Sequence, residues 1–388
     1  MDAASSSDAP EPEGYPFPLH FAGDPDGPKP PFGPYGWVEK GALWAGDRRA
    51  LEARFRKPHP PARVWTPEGD RLVPPWQVPW LFEMLKAPGL EKMRERLKAA
   101  GFVLALFTAI TLMTLAGDPG ALSHGPPIIL VLVGVTFAQG LFEYRKLKAL
   151  TPAEYGAMVE EVHTLPEARE GEPVFTRALA AVIAAVGVAQ VLSPGSSAEA
   201  AGLVKDAVRN GEWWRLFTAP LLHGGPLHIV MNGTALLALG GLVERYAHRA
   251  FVPLVFLVTA LAGGGGSFLA FPHKTSVGAS GGIMGLVGFA LVLSLRRREL
   301  LPSSLSKDLL ADVGWIALMG LAAWQYIDNG AHAAGLAAGI ALGALLVPRG
   351  GTTPHWEPAP AVRAAGWIAA AVIVASAITA AAAMFGML

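Results

Sequence analysis

Residues 273–288 read HKTSVGASGGIMGLVG, in which the second of two serines, Ser280, is set among glycines where a long apolar run begins. A serine hydroxyl is a weak nucleophile until an adjacent base takes its proton, and histidine is the usual base. Two more apolar runs open on polar groups of a matching kind. HGGPLHIVMN carries His228 and Asn232, one helical turn apart on one face, and DNGAHAAGLAAGIALG carries His332. Acyl transfer needs a nucleophile, a base and donors aimed at the developing oxyanion. Ser280 and His332 fit the first two roles. The Asn232 amide, the His228 ring and the Ser280 backbone N–H fit the third. Gly278 and Gly281 leave room beside the nucleophile for a peptide backbone. These residue types predict serine-based cleavage of a peptide bond. Taken singly, each group reads as helix packing, a cap or interhelical hydrogen bonding. The case rests on their coincidence.

The elements that must position them are membrane helices. The 388-residue chain is 52% hydrophobic and only 16% charged, where soluble domains carry about 25% charged residues. Its zero formal net charge argues against a nucleic-acid partner, which needs a basic face. Without cysteine there is no disulfide, thiolate metal site or cysteine nucleophile. Apolar runs near the roughly 20 residues a bilayer demands predict nine spans, at about 100–117, 126–142, 175–193, 226–243, 249–270, 279–295, 309–325, 331–347 and 364–386. Lys92, Arg94, Arg96 and Lys98, then Arg145, Lys146 and Lys148, Arg245 and Arg249, Arg296 to Arg298 with Lys307, and Arg349 and Arg363 fall on one side if the spans alternate. Basic residues mark the cytoplasmic side, so the N-terminus is expected inside and the C-terminus outside.

With that topology the fourth, sixth and eighth spans run in one direction, and each opens on a polar group just below its outer end. Polar residues in a span are costly and face the bundle interior or a water-filled cavity. Gly281, Gly285 and Gly288 stripe one span and Gly335, Gly339 and Gly343 another. Small-residue stripes let transmembrane backbones approach closely, so packing these faces is expected to bring Ser280 against His332. The Trp214–Arg215 pair precedes the fourth span, and Arg215 reads as a structural anchor. GGGGS at 263–267 reads as close packing or a flexible span end. Asp328, four residues before His332, has the spacing of a triad carboxylate. Its place just outside the helix start favours a capping role instead.

Residues 1–98 hold about half of the 33 prolines. Proline lacks the donor N–H, and the expected structure is a flexible cytoplasmic tail with an amphipathic approach helix. A small folded module is the alternative. The remaining divisions are a two-span hairpin and linker at 99–174, a core at 175–347, and a linker with a last span at 348–388.

Gly-x-Ser-Gly at 278–281, Ala-His-x-x-Gly-x-x-x-Gly at 331–339, His-x-x-x-Asn at 228–232 and the Trp214–Arg215 pair together resemble the rhomboid family of intramembrane serine proteases. The resemblance covers about residues 175–347. It implies an all-α polytopic fold with a six-helix core, here with two extra leading spans and one trailing span. It implies a Ser280–His332 dyad, an oxyanion site of His228, Asn232 and the Ser280 amide, and no cofactor. His223 resembles a further family histidine near that pocket. Met284 stands where many members carry a tyrosine against the catalytic imidazole, and its thioether can still pack there. The implied substrates are single-span membrane proteins cleaved within the lipid bilayer. The expected location is the bacterial cytoplasmic membrane, with the site opening outward. The alternatives are an inactive rhomboid-like protein that binds membrane clients, which would lack Ser280 or His332, and a transporter.

Overall fold

A computed structural model describes residues 19–20, 34–39, 42–57, 60–117, 125–165, 169, 171–350 and 356–388. The proline-rich run at 25–31 lies outside them. Contacts divide the chain into two units, 1–162 and 163–388.

The first unit departs from the expected flexible tail. Strands β1 (Leu19–His20), β2 (Tyr35–Glu39), β3 (Ala42–Gly46) and β4 (Arg63–Trp65) form an antiparallel sheet in the order β1-β3-β2-β4. Helix α1 (Arg48–Phe55) is capped by Asp47, whose carboxylate accepts from Ala50 N at 2.7 Å. A small core of Trp37, Leu51, Val64, Val78 and Leu81 closes beside it. A Cβ on Gly36 would sit 2.2 Å from the Trp65 ring, so a bare backbone is required there. Arg54 grips Glu39 through two nitrogens at 2.6 and 2.7 Å. Among the described residues of this region, the alternative of a small folded module is the one present.

Helix α2 (Pro79–Gly117) is continuous through Pro88. Its 39 residues reach roughly 58 Å at 1.5 Å per residue, about twice a bilayer core, so only its second half serves as the span expected at 100–117. It pairs with α3 (Gly125–Ala149) through Gly101 against Phe137 and Gly140 against Leu97. Helix α4 (Pro152–Thr164) follows, with Tyr155 packed on Trp76 and Phe82.

In the second unit, α5 (Val174–Leu192) leads through α6 (Ser197–Ala201), α7 (Lys205–Arg209) and α8 (Arg215–Thr218) to α9 (Pro226–Tyr246). Then come α10 (Phe251–Ala270), α11 (Ser280–Arg296), α12 (Leu305–Ala322), α13 (Asn329–Leu346) and α14 (Pro360–Met384). Every expected span falls on a helix, but α12, at the run expected at 309–325, carries Lys307, Asp308 and Asp312 and is not among the membrane-crossing helices. Among the described residues α2, α5, α9, α10, α13 and α14 are long and apolar enough to cross a membrane, and α11 is a shorter apolar helix. The chain is an all-α polytopic membrane protein apart from the small sheet.

The glycine stripes hold this bundle together. A Cβ on Gly335 would lie 2.1 Å from the Gly281 carbonyl oxygen, and one on Gly339 would lie 2.0 Å from that of Gly285. Backbone thus meets backbone where α11 and α13 cross. The GGGGS run packs closely, since a Cβ on Gly266 would come within 2.3 Å of the Gly330 carbonyl. Buried Glu244 of α9 caps α5, accepting from Phe175 N and Thr176 N at 3.1 and 3.0 Å and from the Thr176 hydroxyl at 2.8 Å. Both oxygens of the Glu244 carboxylate are thereby engaged.

Candidate active site

Ser280 begins α11, after an irregular stretch from Phe271 that is held on several sides. Ser276 and Leu203 exchange backbone hydrogen bonds, and Gly278 N donates to Ala219 O at 3.0 Å. Lys274 Nζ reaches Gln325 O, and Arg209 donates to Pro272 O at 3.2 Å. Gly278 has φ +133°, a conformation that L side chains rarely adopt. A Cβ there would also lie 2.8 Å from Cε1 and 3.1 Å from Nε2 of His228, and 3.8 Å from Nδ2 of Asn232. Glycine serves two needs at once: it makes the turn and lets the loop before Ser280 lie against α9.

The donors on α9 are available. Gly224 N donates to His228 Nδ1 at 3.3 Å. With Nδ1 acting as acceptor, the neutral ring carries its proton on Nε2, the atom nearer the Gly278 position. Asn232 is buried, and its Nδ2 has no hydrogen-bond partner. Two donors therefore converge beside the loop that presents Ser280. An unpaired buried amide costs free energy, which is understandable if a substrate oxygen completes it.

His332 lies on the first turn of α13. The carbonyl of the preceding Ala331 sits 3.6 Å from a Cβ placed on Gly281. The residues flanking Ser280 and His332 are thus in contact, while no hydrogen bond joins Ser280 to the His332 ring. His332 Nδ1 is buried without a partner. Catalytic hydrogen bonds are often long without substrate and tighten in the complex. Asp328 caps α13 as expected, its Oδ1 accepting from Ala331 N at 3.0 Å. It does not orient the imidazole.

Met284 is buried one turn along α11. His223 is buried, its ring edge-on to His228 at 5.0 Å, and its backbone is clamped by Gln190 through bonds of 2.9 and 3.0 Å. Arg215 anchors the outer loop, bonding Glu212, Glu199 O and Gly202 O at 2.6, 2.9 and 3.0 Å. Among the described residues no cluster of histidine, aspartate and glutamate has the makings of a metal site.

Sequence reasoning missed one part of the site. A pocket at Ser280 is walled by Ala219, Ala260, Gly263 and Gly281 and bordered by Ser267, Ser276 and Asp328. Asp328 Oδ2 accepts from Ser276 Oγ at 2.8 Å and from Ser267 Oγ. Buried Lys205 of α7 donates to Ser276 Oγ at 2.7 Å and to Lys274 O. These partners are 52 to 71 residues apart along the chain, and no local pattern announces them.

A Rhomboid domain family model matches residues 210–349. The chain is 35% identical over 143 residues to the putative rhomboid protease YdcA of Bacillus subtilis (strain 168), covering 37% of this chain and 71% of the relative. It is 34% identical over 146 residues to the rhomboid protease GluP of the same organism, where the match covers 37% of this chain but only 28% of the relative. RHOMBOID-like protein 6, mitochondrial, of Arabidopsis thaliana is 36% identical over 158 residues, 39% of this chain and 49% of that one. A family model over the helices that carry Ser280 and His332, and a relative matched across most of its length, lead to one conclusion: the chain belongs to the rhomboid family.

Proposed function

We propose that the protein is an intramembrane serine endopeptidase acting on single-span membrane proteins. The observation that carries this reading is the convergence of His228 Nε2 and the unpartnered Asn232 Nδ2 beside Gly278, two residues before Ser280. A free pair of donors at a nucleophile is what a tetrahedral intermediate requires. Ser280 Oγ attacks the scissile carbonyl carbon while His332 takes the hydroxyl proton. The oxyanion is held by His228, Asn232 and the Ser280 N–H. On collapse the C–N bond breaks and the leaving amine receives the proton from His332. Water, deprotonated by the same imidazole, then releases the acyl group and restores Ser280. The similarity to proteins named rhomboid proteases supports this reading.

The basic residues at one set of loops favour an N-terminus in the cytoplasm. The site then opens toward the outer face of a bacterial cytoplasmic membrane. The test is cleavage of a model single-span substrate in liposomes by wild type, Ser280→Ala, His332→Ala and the double variant. Each single change is expected to abolish cleavage and the double to be no worse, because nucleophile and base act as one unit. Substantial cleavage by folded Ser280→Ala would falsify the assignment.

A further inference from the structure

Gln190 stands on the last turn of α5, a helix that is otherwise apolar except for Thr176 and Arg177 near its start. Its amide is fully directed. Oε1 accepts from His223 N at 2.9 Å, while Nε2 donates to His223 O and to Ser197 Oγ, both at 3.0 Å. The side chain thus grips both backbone groups of one residue, 33 positions away along the chain. These partners also fix which way the amide faces, because a turned amide would set N–H against N–H and C=O against C=O.

The gripped residue begins a short relay. Between Leu221 and α9 the backbone has no regular structure to hold it. Gly224, next after His223, donates its N–H to His228 Nδ1 at 3.3 Å. That bond is what leaves the ring proton on Nε2, the nitrogen 3.1 Å from a Cβ placed on Gly278. The His223 ring meets His228 edge-on at 5.0 Å. Helix α5 is a firm reference for this relay because it is registered on α9 at both ends. Near its start Glu244 holds Phe175 and Thr176. One turn before Gln190, a Cβ on Gly187 would lie 2.6 Å from Ile229 Cδ1, so the two helices touch beside His228.

Building on the protease reading, we propose that Gln190 is a positioning residue for the oxyanion site. By fixing the His223 backbone it aims the Gly224 N–H at His228 Nδ1, and so sets the tautomer and direction of the ring that meets the oxyanion. Gln190 itself touches neither substrate nor reacting atoms. Without the grip the Gly224 N–H is free to turn away, and the ring can then present a lone pair from Nε2 to a negatively charged oxygen. The loss falls on the transition state, where that charge exists, and leaves substrate binding as it was.

The experiment uses the full-length protein in liposomes with a model single-span substrate, after thermal unfolding in detergent has shown each variant to be folded. Gln190→Met, similar in length but without the amide, is expected to lower kcat roughly ten- to a hundredfold, less than losing a donor outright, with KM unchanged. Ser197→Ala removes the amide's other partner and spares the His223 grip, so kcat is expected to stay near wild type. On an Asn232→Ala background the Gln190→Met loss should persist in full. On a His228→Ala background it should vanish, because no ring is left to aim. A wild-type kcat in folded Gln190→Met overturns the proposal. So does a loss confined to KM, or a loss as large without His228 as with it. Where His228→Ala turns over too slowly to measure, the division between kcat and KM decides. Should Gln190→Met fail to fold, Gln190→Glu takes its place: it keeps an acceptor for His223 N but has no proton for His223 O, and a wild-type kcat overturns the proposal. Wild-type cleavage with no effect at Gln190 leaves the protease reading standing. If wild type cuts nothing, or Ser280→Ala cuts equally well, the protease reading fails and takes the proposal with it.

Discussion

Asn232 and Lys205 show what a residue's surroundings add to its type. Asn232 reads from sequence as an oxyanion donor or as interhelical glue, and spacing cannot separate the two. Its buried Nδ2 without a partner argues against glue, which would have used that N–H. Asn232→Ala is therefore expected to slow turnover by roughly a hundredfold, the low end for one oxyanion donor, since His228 and the Ser280 amide remain. An unchanged rate with intact folding would assign Asn232 to packing. Lys205 carried no signal in the sequence beyond being a loop lysine. Burial pushes its ammonium down to about 8; Asp328 works in the opposite direction, and Lys274 and Arg209 add to the lowering. Arg209 is itself paired with Asp206.

At the scale of elements, the legible parts were those with a short period. Four-residue glycine stripes on α11 and α13 announce close helix packing because only hydrogens stand between the backbones, and the structure brings those stripes together. The cap at Asp328 was legible for a similar reason, being set by residues three apart. The sheet of the first unit was not. Its strands are short, its core is built from Trp37, Leu51, Val64 and Leu81 across distant segments, and surrounding prolines mask the alternation. The same geometry predicts opposite signs for two glycine substitutions. Gly339→Ala would force a methyl to 2.0 Å from the Gly285 carbonyl oxygen, and overpacking of this kind costs about 1–3 kcal/mol. Gly314→Ala on α12 meets nothing within 4 Å, and alanine is favoured over glycine within a helix by up to about 1 kcal/mol. Thermal unfolding in detergent should place Gly339→Ala below wild type, with reduced cleavage, and Gly314→Ala at or slightly above it. Equal midpoints for the two would refute the close crossing of α11 and α13.

For the whole molecule, the question is which parts the site needs. The family resemblance spans about 175–347, yet the contacts of the second unit run on through α14. A Cβ on Gly366 would lie 2.4 Å from the Ala250 carbonyl, Trp367 packs edge-on against Phe175 at 4.7 Å, and Ser193 donates to Met384 O at 3.2 Å. Arg169 ties the segment before α5 to Trp356 O and Glu357 at 2.8 and 3.0 Å. The buried face of α14, with Gly366, Ala369, Ile373, Ser376, Ala380 and Met384 at three- and four-residue spacing, runs the length of the helix. The trailing span is thus structural in this chain, though its apolar sequence alone did not say so. The first unit has its own interior, and deleting it removes two spans, an even number that leaves the orientation of the remaining helices unchanged under the proposed topology. Deleting residues 1–162 is therefore expected to keep cleavage within about tenfold of wild type, whereas ending the chain at Gly350 should lower the unfolding midpoint and abolish cleavage, because buried faces of α5 and α10 are then exposed to lipid without their partner. Both truncations should be expressed at low temperature and compared on the same substrate after their folding is checked by size-exclusion chromatography. Full activity of the chain ending at Gly350 would show that the site is complete without α14, and loss of activity in a well-folded chain beginning at His163 would show that the first unit takes part in the reaction.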